Sequence, residues 1–118
     1  MPDVPFVPTR LETRAQHVRW GSLKAGEAGA PFSLHGGPDR SVQVTGNFSG
    51  GATLYWEGSN NVFEASPDWF TLTDPQGNPL SFATARLEQV TEYTRWVRPR
   101  VTAGDANTSL TVNLFLGM

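Results

Sequence analysis

The feature that most restricts this chain is the alternation of apolar and polar residues, interrupted about every ten residues by glycine or proline. From Thr108 to Leu116, Leu110, Val112, Leu114 and Leu116 alternate with Thr111, Asn113 and Phe115. A period of two sends successive side chains to opposite faces of a strand, so the segment predicts a half-buried strand. The same period recurs at Gln16, Val18 and Trp20, at Val42, Val44 and Phe48 against Gln43, Thr45 and Asn47, and at Leu54 and Trp56. Shorter strands are predicted at 31–34, 69–73, 80–82 and 96–102. Pro99 cannot donate to a ladder, which places that last strand at a sheet edge or a bulge.

Turn chemistry separates these segments. Gly50-Gly51 reads as a tight hairpin between its flanking strands. In Asp74-Pro75-Gln76-Gly77-Asn78-Pro79, Asp bonds a downstream amide, Pro pre-sets a torsion and Gly takes the left-handed position. Residues 83–93 mix helical spacing (Leu87, Val90) with strand-favouring Thr91 and Tyr93, and are assigned as irregular or strand. About eight short strands with no convincing helix predict an all-β fold, an antiparallel β-sandwich or jelly roll. A length of 118 residues with twelve glycines and nine prolines suits one such domain.

Residues 1–13 read differently. Prolines 2, 5 and 8 bias the chain toward extended geometry, predicting a Pro-rich N-terminal arm ahead of a single sandwich domain at 14–118. Val4, Phe6 and Val7 on that arm need a docking surface, either this domain or a neighbouring subunit. Removal of residues 1–10 is expected to leave the domain folded. No basic, apolar leader pattern and no run of 18 apolar residues is seen, which points to a cytosol or a particle assembled there.

Composition excludes several chemistries. There is no cysteine, so no disulfide, thiolate metal site or cysteine nucleophile. A net charge of −2 gives no basic field for nucleic acid. His17 and His35 lack metal-ligand spacing, and calcium through Asp105 and Asn107, or Asp39, has only loop composition behind it. Glu57, Asp68, Asp74, Glu88 and Glu92 are carboxylates without a cleft to pair across, and Glu88 and Glu92 read as a solvated face. GxSxG, P-loop and GxGxxG patterns are missing. The expectation is a protein without catalytic residues, cofactor or metal.

Aromatic and arginine residues carry more information. Seven Phe, four Trp and two Tyr exceed what disorder tolerates. Trp20, Trp56, Trp69 and Trp96 are expected in the core, whereas Tyr55, Phe63 and Phe115 fall on opposite faces or in a loop. The chain has eight arginines against one lysine, Lys24. Arginine presents a planar fork suited to carboxylates and aromatic faces, and is enriched at contact surfaces. Arg95, Arg98 and Arg100 cluster at one strand, with Arg98 and Arg100 on one face. The candidate partner-binding residues are therefore Val4, Phe6, Val7, Arg95, Arg98 and Arg100.

Two family resemblances extend this reading. Ser41-Val42-Gln43-Val44-Thr45-Gly46, Glu57-Gly58-Ser59-Asn60 and Trp69-Phe70-Thr71-Leu72-Thr73-Asp74-Pro75-Gln76-Gly77-Asn78 form one series with Arg95-Trp96-Val97-Arg98-Pro99 and Val101-Thr102-Ala103-Gly104-Asp105. The series, about two-thirds of the chain, resembles small structural proteins of tailed bacteriophages. The resemblance implies a jelly-roll capsid decoration (cement) protein on the virion exterior, assembled in the host cytoplasm. Its partners would be the major capsid protein, whose subunits it bridges, and neighbouring copies of itself, often as trimers, with no nucleic acid or membrane. A tail or head–tail joining protein is the other virion role. Separately, Glu57-Gly58-Ser59-Asn60-Asn61, Trp69 and Arg95-Trp96-Val97-Arg98 resemble discoidin-like carbohydrate-binding sandwiches, which implies a glycan ligand. There the usual Gly-bearing turn is replaced by Asn61-Val62-Phe63.

Overall fold

A computed structural model describes residues 3–12, 15–34, 39–61 and 68–117. Its ten strands are β1 (Phe6–Glu12), β2 (Ala15–Leu23), β3 (Phe32–Ser33), β4 (Asp39–Asn47), β5 (Thr53–Ser59), β6 (Phe70–Thr71), β7 (Ser81–Phe82), β8 (Arg86–Gln89), β9 (Trp96–Thr102) and β10 (Ser109–Gly117). The first sheet has the order β1-β2-β10-β4-β8. The second runs β3-β9-β5, with β6 and β7 in tandem along the far edge of β5. All ten strands pair antiparallel.

The pairs β2–β10, β3–β9, β4–β8 and β5–β6 are nested in sequence. The chain is thus one long antiparallel ribbon wrapped across two layers, and the β10–β4 and β9–β5 ladders seal the roll. The two antiparallel layers are the all-β sandwich expected from the sequence, and the nested pairing is of the jelly-roll kind. The two strands beyond the expected eight are β1 and β8. Among the described residues there is no α-helix, and no helix is long and apolar enough to cross a membrane.

The alternation becomes the core directly. Leu110, Val112, Leu114 and Leu116 of β10 are buried with Val18, Trp20, Val42 and Val44, and face Leu54, Trp56, Val97 and Val101 of the second sheet. Each fully buried aliphatic side chain contributes about 1.5–3 kcal/mol from removal of apolar surface from water. Trp20 and Trp56, one from each sheet, meet edge-to-face at 5.6 Å between centroids and 74° between planes. Gly29 lies so near that a Cβ there would sit 2.5 Å from the Trp20 ring.

Gly50-Gly51 is not a hairpin. β4 and β5 belong to different sheets, and the two glycines, at φ 72° and 71°, turn the chain from one layer to the other. The hydrophobic residues on either side thereby face each other across the core instead of lying side by side. Pro99 sits within a ladder with β5 but on the non-bonded side of it. Its carbonyl points outward to take the Gly29 amide at 2.8 Å, where β3 no longer pairs.

The N-terminal segment docks on this domain, the first of the two surfaces expected for it, and does so as an edge strand. β1 pairs along β2, with Pro8 on the sheet's outermost strand where its missing donor is tolerated. Phe6 packs edge-on against Trp20 at 5.8 Å and Phe32 at 5.2 Å. Val4 donates its amide to Ala28 O and accepts from Ala30 N, at 3.0 and 2.7 Å, extending the second sheet through the 27–30 segment. Residues 4–12 therefore close the open side of both sheets. At the opposite edge, β8 turns Arg86 and Glu88 toward the core side and Leu87 outward, opposite Gln43. Inward charges of this kind discourage edge-to-edge pairing.

Phe6→Ala is expected to lower thermal stability by about 1–2 kcal/mol, less than a fully buried Phe because the residue is only partly buried. Val7→Ala, whose side chain faces solvent, should stay within about 0.5 kcal/mol of the parent. Equal effects in thermal denaturation would contradict the docking of residues 4–6. Deletion of residues 1–10 should destabilise the domain, against the expectation from proline content alone.

Candidate functional site

The outward face of the second sheet is set by the β5–β9 register. Thr53 lies opposite Thr102, Tyr55 opposite Arg100, Glu57 opposite Arg98 and Ser59 opposite Trp96. Because Leu54, Trp56, Val97 and Val101 point inward, all eight of these alternate outward. Thr71 of β6 extends the Glu57 row and Ser81 of β7 the Tyr55 row.

Glu57 organises the face. Its Oε1 accepts from Arg98 Nε at 3.0 Å and its Oε2 from Arg100 Nε at 2.9 Å. The Glu57 side chain is only 5% exposed, with Arg98 at 19% and Arg100 at 38%. Burying a carboxylate costs several kcal/mol unless it is paired and hydrogen-bonded, and here both oxygens are engaged by cations. Aromatic rings complete the cluster. The Arg98 guanidinium lies 4.4 Å from the Trp69 ring centroid and that of Arg100 lies 5.2 Å from Tyr55. Each guanidinium group is thus held by a bond at Nε and by a ring contact. Among the described residues the Nη1 and Nη2 groups of both arginines have no hydrogen-bond partner. The three ionised groups leave one net positive charge.

Arg95 joins from the end of the strand. Its guanidinium lies 5.3 Å from the Trp96 ring, its amide donates to Asn60 Oδ1 at 2.9 Å, and Trp96 Nε1 donates to Asn61 O at 3.0 Å. The Ser-Asn-Asn segment after β5 is thereby fastened to the start of β9.

The six expected partner-binding residues separate. Arg95, Arg98 and Arg100 come together on this face. Val4 and Phe6 pack against the protein's own core, and Val7 points outward from the opposite sheet, beside Arg19. Trp20 and Trp56 are core residues as expected, but Trp69 and Trp96 are half-buried and lie against arginines instead. Arg14, His35 and Phe63 lie outside the described residues.

The remaining carboxylates and polar candidates are tied into the fold. Asp74 Oδ1 accepts from the Gln76 and Asn78 amides, Asp68 accepts from Asn61 Nδ2, and Glu88 pairs with Arg86 at 2.9 Å. Asp105 Oδ1 accepts from the Asn107 amide and Oδ2 from Ser49 Oγ, so both its oxygens tie the loop. Those bonds, Ser49 first and then Asn107, hold its carboxyl below the ordinary value. His17 Nε2 lies 2.7 Å from Asn113 Oδ1. Among the described residues no three His, Asp or Glu side chains gather as a metal site.

Glu92, expected on a solvated face, binds Thr73 through both oxygens, taking its amide at 2.8 Å and its hydroxyl. Burial acts to raise the Glu92 carboxyl. The Thr73 hydrogen bonds, with a contribution from Arg40, outweigh it and hold the group below its ordinary value of 4.5.

No family model, curated protein or solved structure matches this chain.

Glu57→Gln should lower stability by about 1–2 kcal/mol, since two charge-assisted bonds weaken but partly exposed arginines recover solvation. Thermal denaturation at neutral pH checks this, and an unchanged midpoint would contradict the bridge. A folded carboxyl held low stabilises the protein above its unfolded pKa, and that contribution is lost as pH falls through the depressed folded value. The parent should therefore lose stability on acidification below about pH 4.5 more steeply than Glu92→Gln. Parallel curves would contradict it.

Proposed function

We propose that this protein is a non-catalytic binding module of a bacteriophage virion, a capsid decoration protein that meets its partner through the outward face of the second sheet. The observation that carries this reading is the Trp69–Arg98–Glu57–Arg100–Tyr55 cluster. Trp, Tyr and Arg are the residues in which interface energy concentrates, and a rim of small hydroxyl residues (Thr53, Thr71, Ser81, Thr102) surrounds them here. Rings and guanidinium groups fixed before contact forfeit less entropy on binding. Jelly rolls serve viral capsids and lectins alike, so the fold is compatible with the reading without selecting it.

On this reading each copy adds a small contact across capsid subunits, and repetition by symmetry makes the sum large. Co-sedimentation with purified capsid shells of the encoding phage tests it. The parent protein should pellet with shells at a fixed ratio to the major capsid protein, and Trp69→Ala combined with Arg98→Ala should reduce that ratio at least about tenfold. Absence of co-sedimentation, together with a glycan-array signal removed by Trp69→Ala, would replace the reading with carbohydrate binding.

A further inference from the structure

We infer that the Arg98–Arg100 pair is a preformed receptor for the carboxylate of an acidic segment on the partner protein. This deepens the proposed binding face and rests on it. Both Nε–H groups are consumed by Glu57, so what each arginine has left for a partner is its pair of Nη groups. Those donors have no hydrogen-bond partner among the described residues, belong to guanidinium groups lying over the Trp69 and Tyr55 rings at 4.4 and 5.2 Å, and leave a net charge of +1 after Glu57 is counted. A carboxylate accepts two parallel N–H bonds from such a fork, and a charge-assisted bond is about twice as strong as a neutral one. An uncharged acceptor would leave the positive charge uncompensated as the face is covered, which is costly in a desolvated interface.

Glu57 acts here as a positioning residue. Without it two guanidinium groups on neighbouring outward positions of one strand would repel and splay. With it they are drawn to the two oxygens of one carboxylate, at 3.0 and 2.9 Å. The internal acid thus sets the spacing at which an external acid is received. Arg95, stacked on Trp96 at the end of the same strand, adds positive potential without sharing the fork.

The test is titration of the full chain with a ten-residue peptide alternating Glu and Gly, followed by NMR of the arginine side-chain N–H signals. A Gln-Gly peptide and a phosphoserine-Gly peptide serve as comparisons. The Glu peptide should shift the Arg98 and Arg100 signals and bind at least about tenfold more tightly than the Gln peptide. Raising salt from about 50 to about 300 mM should weaken it several-fold. Arg98→Lys, which keeps the charge but removes the fork, should weaken binding several-fold. Arg19→Gln, on the outward face of the other sheet, should leave it unchanged. Equal binding of Glu and Gln peptides overturns the inference, as does binding restricted to the phosphoserine peptide, or an equal loss in Arg19→Gln. If shells co-sediment but the Glu peptide shifts nothing at Arg98 or Arg100, carboxylate capture fails while decoration stands. If the Glu peptide binds at the fork and shells do not co-sediment, decoration fails and carboxylate capture stands.

Discussion

The two sheets depend on the contact between Trp20 and Trp56, because this pair spans the layer that the buried apolar side chains of both sheets line. Trp20 is fixed on three sides. Its indole N–H is taken by Ala30 O at 3.0 Å, Phe6 closes one edge and Gly29 leaves room where any side chain would collide. Trp56 lies on β5 between Tyr55 and Glu57, so the residue that anchors the core also fixes the outward direction of its neighbours. The period of two does the rest. A strand that buries Trp56 must present Tyr55 and Glu57, and one that buries Val97 and Val101 must present Arg98 and Arg100.

The proposed binding face is therefore a consequence of core packing and not an addition to it. The β5–β9 register brings Glu57 opposite Arg98 and Tyr55 opposite Arg100, and a slip of one residue in either strand would turn that strand's pair inward and break the cluster. Closure of the domain depends on the same region. The 27–30 segment pairs with β9 at Arg100 and with Val4 on its other side, so the N-terminal segment braces the strand that carries the arginines.

Much of this was legible in the chain itself. The alternation of 108–116 and 42–48 predicts strands that are found, and Arg98 with Arg100 at i and i+2 predicts a shared face. Cross-sheet relations were not legible. Gly50-Gly51 has hairpin chemistry, yet its two strands join different layers, which only the partner strands β10 and β9 decide. Proline content at residues 2, 5 and 8 suggests an arm, but an edge strand accepts Pro8, and Phe6 finds its pocket only once Trp20 and Phe32 are assembled. Glu57 resembled any other carboxylate in the sequence. Its role follows from register, which one strand's pattern does not specify.

Hydroxyl-radical footprinting of the protein, alone and mixed with capsid shells, tests the proposed binding face most directly. Protection is expected at Tyr55, Trp69 and Trp96 on the outward face of the second sheet, with no change at Phe115 on the first. Protection of Phe115 and Leu87, with Tyr55, Trp69 and Trp96 as reactive as in the free protein, would contradict it.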